Sequence, residues 1–258
     1  SSAASDVYKR QISLCLLIWS MFIEPNILIV KHLTIHDEQL KGLKIVFASD
    51  FHIKPHETYR LNKIVRTINE QNPDIVLFGG DYVNGHKKGN SLSIEKIAKK
   101  FSYIVSKYGT YVVIGNHDGW QGKEEIIEVL KKNGINVLFN NNACFKDFCI
   151  AGVDDLQTGN PDIEKALLGV NKPVILLTHT PDIMPNVPYN VNLTLAGHLH
   201  GGQVRLNKAL IVPSIYGDKY ANGFLNDKGK KIYTTKGLGT SILPIRFNCP
   251  PEIVVIEF

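Results

Sequence analysis

The sequence predicts an α/β protein in which two packed mixed β-sheets are flanked by helices. Three observations point there. Short apolar runs alternate with amphipathic helical stretches through residues 43–132, the order of βαβ units with parallel strands. Past residue 137 the helical spacing gives way to a succession of short strand-like runs. Five of the apolar runs end in a polar cluster of His, Asp, Asn or Gly, the position where open α/β sheets gather ligands and catalytic groups.

At 258 residues and 44% hydrophobic content the chain can bury a substantial core, read here as one large domain over residues 26–258. Twenty-nine basic against 24 acidic residues leave a net charge of +5, too diffuse for a nucleic-acid footprint and compatible with small anionic substrates. Residues 1–11 are small and polar and do not begin with Met, which reads as a processed end, a fragment boundary or an expression scar. Residues 12–25 hold an apolar run, Ile12 to Ile23, closed by Glu24-Pro25. The run is shorter than the roughly 18–20 residues that cross a bilayer. It is read as a membrane-associating segment, which gives an expected location at a bacterial inner or plasma membrane.

The elements follow in order. Asn26–Ile35 and Leu43–Ala48 read as strands, the second buried on both faces. Leu61, Ile64, Val65 and Ile68 stand at helical spacing within a helix over Arg60–Gln71, stopped at Asn72-Pro73. Ile75–Phe78 and Tyr111–Ile114 are the next strands, with helices at Ser93–Lys107 and Lys123–Lys132. An antiparallel half is then expected from Val137–Phe139, Ala143–Phe145, Phe148–Val153, Val174–Leu177, Leu193–Ala196, Leu210–Val212, Lys231–Thr235 and Glu252–Glu257.

The clusters carry the chemistry. Strand ends lead into Asp50-Phe-His52, Gly80-Asp81, Gly115-Asn116-His117-Asp118, Thr178-His179-Thr180 and Gly197-His198-Leu-His200-Gly201. Alternation predicts that His198 and His200 point to one side of an extended segment. A lone His such as His179 reads by default as a satisfied polar group, Asp81 as a cap and Asn116 as a turn residue. Placement at successive strand ends sets them apart, because that topology brings them to one crevice. Two divalent ions at such a site need a bridging carboxylate, and Asp81 is the expected bridge. Imidazoles, carboxylates and an amide oxygen suit manganese, iron or zinc.

In the order Asp50/His52, Asp81, Asn116/His117, His179 and His198/His200, the sequence resembles the calcineurin-like metallophosphoesterases, over Leu43 to Gln203. Segments at Glu24-Pro25-Asn26, Gly237–Ser241 and Pro244–Glu252 resemble their membrane-linked bacterial branch of YaeI-like and YkuE-like phosphodiesterases. The resemblance implies a four-layer sandwich and two divalent metal ions. One ion would be held by Asp50, His52, His200 and Asp81, the other by Asn116, His179, His198 and Asp81. The ions would acidify a water for attack on phosphorus, His117 would serve as general acid, and Asp118 would orient or charge His117. The family often carries a second acid three positions past the bridge, and this chain has Asn84 there, expected to support the site from behind.

Arg205, Lys219 and Arg246 are candidate clamps for an anionic substrate, and Asp154-Asp155 a candidate lining of the opening. Among His32, His36, His56 and His86, His56 is the one expected at the mouth. Cys144 and Cys149 face each other across a predicted hairpin, which fits a disulfide in an oxidising compartment or two small core residues. The expected substrate is a phosphorylated small molecule or glycolipid, with UDP-2,3-diacylglucosamine of lipid A synthesis as the candidate the branch resemblance implies. The alternatives are a phosphodiesterase on soluble nucleotide or nucleic-acid substrates and a catalytically silent metal-binding scaffold. No protein partner is implied.

Overall fold

A computed structural model describes residues 2–209 and 211–258. The first sheet contains β1 (Ile29–Thr34), β2 (Lys44–Ala48), β3 (Ile75–Phe78), β4 (Thr110–Val112), β5 (Asn136–Val137) and β12 (Glu252–Glu257), in the order β1-β12-β2-β3-β4-β5. β2 to β5 run parallel, joined by crossovers through α2 (Thr58–Glu70), α3 (Ile94–Phe101) and α4 (Asn116–Lys132). β12 slots between the first two strands of the chain, antiparallel to β2 and parallel to β1.

The second sheet orders β6 (Asn141–Cys144), β7 (Cys149–Gly152), β8 (Val174–Leu177), β9 (Leu193–Ala196), β10 (Gly223–Asp227) and β11 (Lys230–Thr234) as β10-β11-β9-β8-β7-β6. The antiparallel half expected from sequence is corrected here: β7, β8, β9 and β11 are parallel, and only the two edges are hairpins. A short helix, α5 (Ile163–Ala166), and the 3-10 turn at Pro181–Asn186 return the chain to the same end of the sheet each time. Leu210 lies outside the described residues, and Ile211–Val212 form no strand. β10 was not expected. It pairs with β11 around Lys228-Gly229, both at positive φ, the conformation a two-residue hairpin turn requires.

Period-two alternation sorts the core into layers. Ile45 and Phe47 of β2 meet Ile175, Leu177 and Leu195 of the facing sheet, while Val46 and Ala48 turn to Leu61, Ile64 and Ile97 of the helices. A third apolar layer, with Ala151, Leu176, Ile232, Ile183 and Met184, closes the far face of the second sheet. The expected α/β architecture of two mixed sheets with helices outside is what the chain adopts.

The expected location at a bacterial inner or plasma membrane is corrected. Among the described residues, no helix is long and apolar enough to cross a membrane. The apolar run is divided between α1 (Ser2–Ile18), whose 17 residues include Asp6, Lys9 and Arg10, and a wider turn at Trp19–Ile23. That turn is tied back to the domain: the Arg246 N–H donates to the Ser20 carbonyl, and Trp19 Nε1 and the Cys249 N–H both donate to Glu24. Cys144 and Cys149 form a disulfide across the β6–β7 hairpin.

Candidate metal centre

The strand ends converge as the alternation of strands and helices implies. Asp50 and His52 follow β2, Asp81 follows β3, Asn116 opens α4, His179 follows β8, and His198 and His200 follow β9. All seven are buried. Asp50, His52, Asp81, His198 and His200 have φ between 41° and 69°. Left-handed backbone is rare for residues other than glycine and concentrates at functional sites. His198 and His200 therefore do not sit on an extended segment as expected; the chain curls at each, and both imidazoles still reach the centre.

Two sets of donor atoms share one oxygen. Asp81 Oδ2 lies 3.4 Å from His52 Nε2 and 3.4 Å from His179 Nε2. On the first side, His52 Nε2 and His200 Nε2 are 3.1 Å apart, and His200 Nε2 is 3.6 Å from Asp50 Oδ1. On the second, His179 Nε2 is 2.9 Å from Asn116 Oδ1, and His198 Nδ1 is 3.2 Å from each of these atoms. Bonds of about 2.0–2.2 Å to a shared ion set donor atoms roughly 3–3.5 Å apart. The residues thus fit two cations joined through Asp81. His52 Nδ1 and His200 Nδ1 are buried without a hydrogen-bond partner, and the Nε2 atoms of both rings face the first set.

Backbone groups aim these side chains. Asp81 Oδ1 accepts the His117 N–H at 2.8 Å, which leaves Oδ2 for the shared position. Both Asp50 oxygens accept the His198 N–H, at 3.0 and 3.1 Å. His179 Nδ1 is 2.7 Å from the Gly79 carbonyl, which fixes its proton there and frees Nε2. His198 Nε2 is 3.0 Å from the Gln157 side-chain amide, a contact that the sequence reading did not foresee. Gly115 permits the approach: a Cβ on it would stand 2.2 Å from Asp81 Oδ1.

Burial and mutual charge set the protonation. Desolvation drives His52 down to about 3 and His198 to about 4, and holds His200 well below its ordinary value, so all three are neutral, as ligands must be. Desolvation lifts Asp50 to about 7. Burial also opposes charge on His179, but the adjacent Asp81 carboxylate outweighs it and raises the imidazole to about 10, while Asp81 is pulled well below the carboxylate range. The His179 proton occupies the place a cation would take.

His117 stands beside the clusters. Its ring is 4.7 Å from the His52 ring, centroid to centroid, with Nδ1 3.0 Å from the Gly85 carbonyl and Nε2 3.5 Å from Ser241 Oγ. Asp118 does not touch the His117 ring, contrary to expectation. Its carboxylate instead accepts the N–H groups of Asp81, Tyr82, Val83 and Gly115. The expected substrate clamps are likewise corrected. Arg246 is wholly buried and donates to the carbonyls of Lys236, Gly237, Gly239 and Cys249. Arg205 pairs with Asp218 and the Gly201 carbonyl, and Lys219 with Asp227. Asp154 is bound to Lys123, and Asp155 accepts from Thr158 and Thr180, so neither is free to line an opening. The Asn84 side chain turns away to the Asn90 carbonyl. His86, not His56, joins the mouth, 5.2 Å from the His117 ring and 4.3 Å from that of Trp120.

Two mixed sheets that deliver one shared carboxylate, four imidazoles, a second carboxylate and an amide oxygen to a common edge define a binuclear metallohydrolase class. The chain belongs to the calcineurin-like phosphoesterase family, whose model matches residues 43–202. It is 32% identical to the uncharacterised metallophosphoesterase YkuE of Bacillus subtilis (strain 168) over 253 residues, 92% of this chain and 87% of that protein. It is 33% identical to the phosphodiesterase YaeI of Escherichia coli (strain K12) over 245 residues, 89% and 87% of the two chains. A solved dimetal phosphatase from Danio rerio aligns with 77% of this chain and 88% of its own, at 12% identity and a TM-score of 0.48. The protein is a hydrolase of phosphoester bonds that uses two divalent metal ions.

Proposed function

We propose that this chain is a phosphodiesterase of small phosphorylated molecules. In this reading Asp50, His52, His200 and Asp81 hold one ion, Asn116, His179, His198 and Asp81 hold the other, and residues 26–258 act as one catalytic domain. The observation that carries it is the 3.4 Å separation of Asp81 Oδ2 from an imidazole nitrogen of each set. Ions bound by these residues would supply a water activated near neutral pH and would draw charge from the phosphoryl oxygens.

The chain's own groups do the rest. Asp81 Oδ1, held by the His117 N–H, fixes the bridging oxygen, and the Gly79 carbonyl fixes the His179 ring. Gly85 accepts from His117 Nδ1, so Nε2 is the atom that delivers a proton to the departing oxygen. Support for a diester in place of a monoester comes from the likeness to the phosphodiesterase YaeI.

The test is hydrolysis of bis(p-nitrophenyl) phosphate and of p-nitrophenyl phosphate by manganese-loaded protein, followed by nucleotide diesters and UDP-2,3-diacylglucosamine, which rests on branch resemblance alone. Diester turnover at least tenfold faster than monoester turnover is expected. Two bound metals with no diester turnover would favour the silent scaffold.

A further inference from the structure

Beside His117 lies a cavity of about 310 Å³ lined by Lys54, Asn84, His86, Ser241, Ile242, Leu243 and Pro244, among others. Its outer wall is unusual in two ways. Ile242 is 99% exposed and has φ of +62°, a conformation that a β-branched residue adopts only under constraint. The Leu243 N–H donates to the Ser241 carbonyl at 2.7 Å, so Ile242 is the apex of a tight three-residue turn.

The constraint is visible. The Gln203 side-chain amide grips the turn from behind, accepting the Ser241 N–H at 2.8 Å and donating to the Ser241 carbonyl at 3.0 Å. Gln203 directly follows the strand-end segment that bears His198 and His200, so the turn is fixed relative to the donor clusters. Ser241 itself meets His117 Nε2. Strain retained and braced at such a place is the mark of a ligand contact.

Resting on the phosphodiesterase reading, we infer that Ile242 and Leu243, with the His86 ring, form a leaving-group subsite that selects diesters whose departing alcohol carries an apolar ring or chain. The side is dictated by His117: the group that receives its Nε2 proton must leave through the space that Nε2 faces. The volume accommodates a ring-sized group. Gln203 is the positioning residue of this wall.

The experiment compares kcat/KM of manganese-loaded protein on aryl phosphodiesters and on matched methyl esters that share the non-departing group. Each variant is scored by its ratio to wild type on the same ester, which cancels intrinsic reactivity. Ile242→Gly relieves the backbone and removes the wall, and is expected to lose 5- to 20-fold on the aryl-departing ester and less than twofold on the methyl-departing one. Ile242→Leu, the variant that guards against misfolding, is expected to keep the aryl preference within threefold. Gln203→Ala should lower the aryl ratio through KM with melting temperature unchanged. Equal losses on both esters overturn the subsite and leave the phosphodiesterase intact. Absence of turnover on every diester overturns the functional reading and the subsite together.

Discussion

The Asp118 carboxylate accepts the backbone N–H of Asp81 at 2.8 Å, and its two oxygens together accept the N–H groups of four residues at the joint between β3 and α4. Asp118 holds the loop that presents the shared oxygen. Desolvation nonetheless lifts its carboxyl to about 7, a sign of how deeply the group is set. Asp118→Asn places an amide against those donors and is expected to weaken manganese binding 10- to 100-fold, measured by calorimetric titration. Unchanged affinity with a slower rate would restore the rejected role beside His117.

The His117 ring lies close to His52 and Asp81, and its Nδ1 is engaged by the Gly85 carbonyl. His117→Asn is expected to retain two equivalents of metal, by metal analysis after gel filtration, while kcat on a diester falls on the order of 10²–10⁴-fold. Loss of a metal equivalent in this variant would contradict the assignment.

Gly115→Ala would put a methyl carbon 2.2 Å from Asp81 Oδ1 and 2.5 Å from the Asp81 nitrogen. The Asp81 backbone and its carboxylate, which is held by the His117 N–H, leave little room to yield. A loss of about 2–4 kcal/mol of stability by denaturant titration, together with weakened metal binding, is expected.

Arg246 is buried in full beneath the turn that carries Gly237 and Gly239. Arg246→Met leaves four carbonyls without their donor, and about 3–5 kcal/mol should be lost. Metal-loaded kcat at a temperature where the variant is folded should stay within threefold of wild type. A selective rise in KM would return Arg246 to the substrate.

Metal-free protein should become less stable between pH 7 and pH 9. Unfolded carboxyls titrate near 3.8 and imidazoles near 6.5, so the unfolded chain has released these protons by pH 7. The folded chain still holds the His179 proton, raised to about 10, across this window, whereas Asp50 and Asp118, each raised to about 7, give up theirs at its lower end. The stabilisation is lost as pH climbs through those values, at up to about 1.4 kcal/mol per pH unit for each retained proton. His52 and His198 are neutral in both states throughout this window and add no slope. Manganese takes over the charge balance and should abolish the decline, read as melting temperature with and without metal.

The centre of the first sheet was legible because β2 and β3 are short apolar runs each followed by an amphipathic helix, as at Leu61, Ile64, Val65 and Ile68. The parallel run of the second sheet was not, because its crossovers are a four-residue helix and a 3-10 turn, too short to print a helical period. Boundaries slipped for similar reasons: α4 begins at Asn116, and its kink at Gly122, with φ of +125°, hides the first turn from any periodicity. The donor residues could be listed from sequence because strand ends reveal placement. Their partners could not, since the Gly79 and Gly85 carbonyls are backbone atoms and Gln157 stands 41 positions from His198. For the hairpin turn at Lys228-Gly229 a signal was present in the Asp-Lys-Gly run and went unread.

The strand at residues 252–257 lies inside the first sheet, and the scaffold beneath Asp50 is complete only when it arrives. During synthesis β2 therefore waits, with one edge bare, until residues 252–257 have emerged from the ribosome. Nascent chains stalled short of residue 252 should engage chaperones and fail to retain manganese.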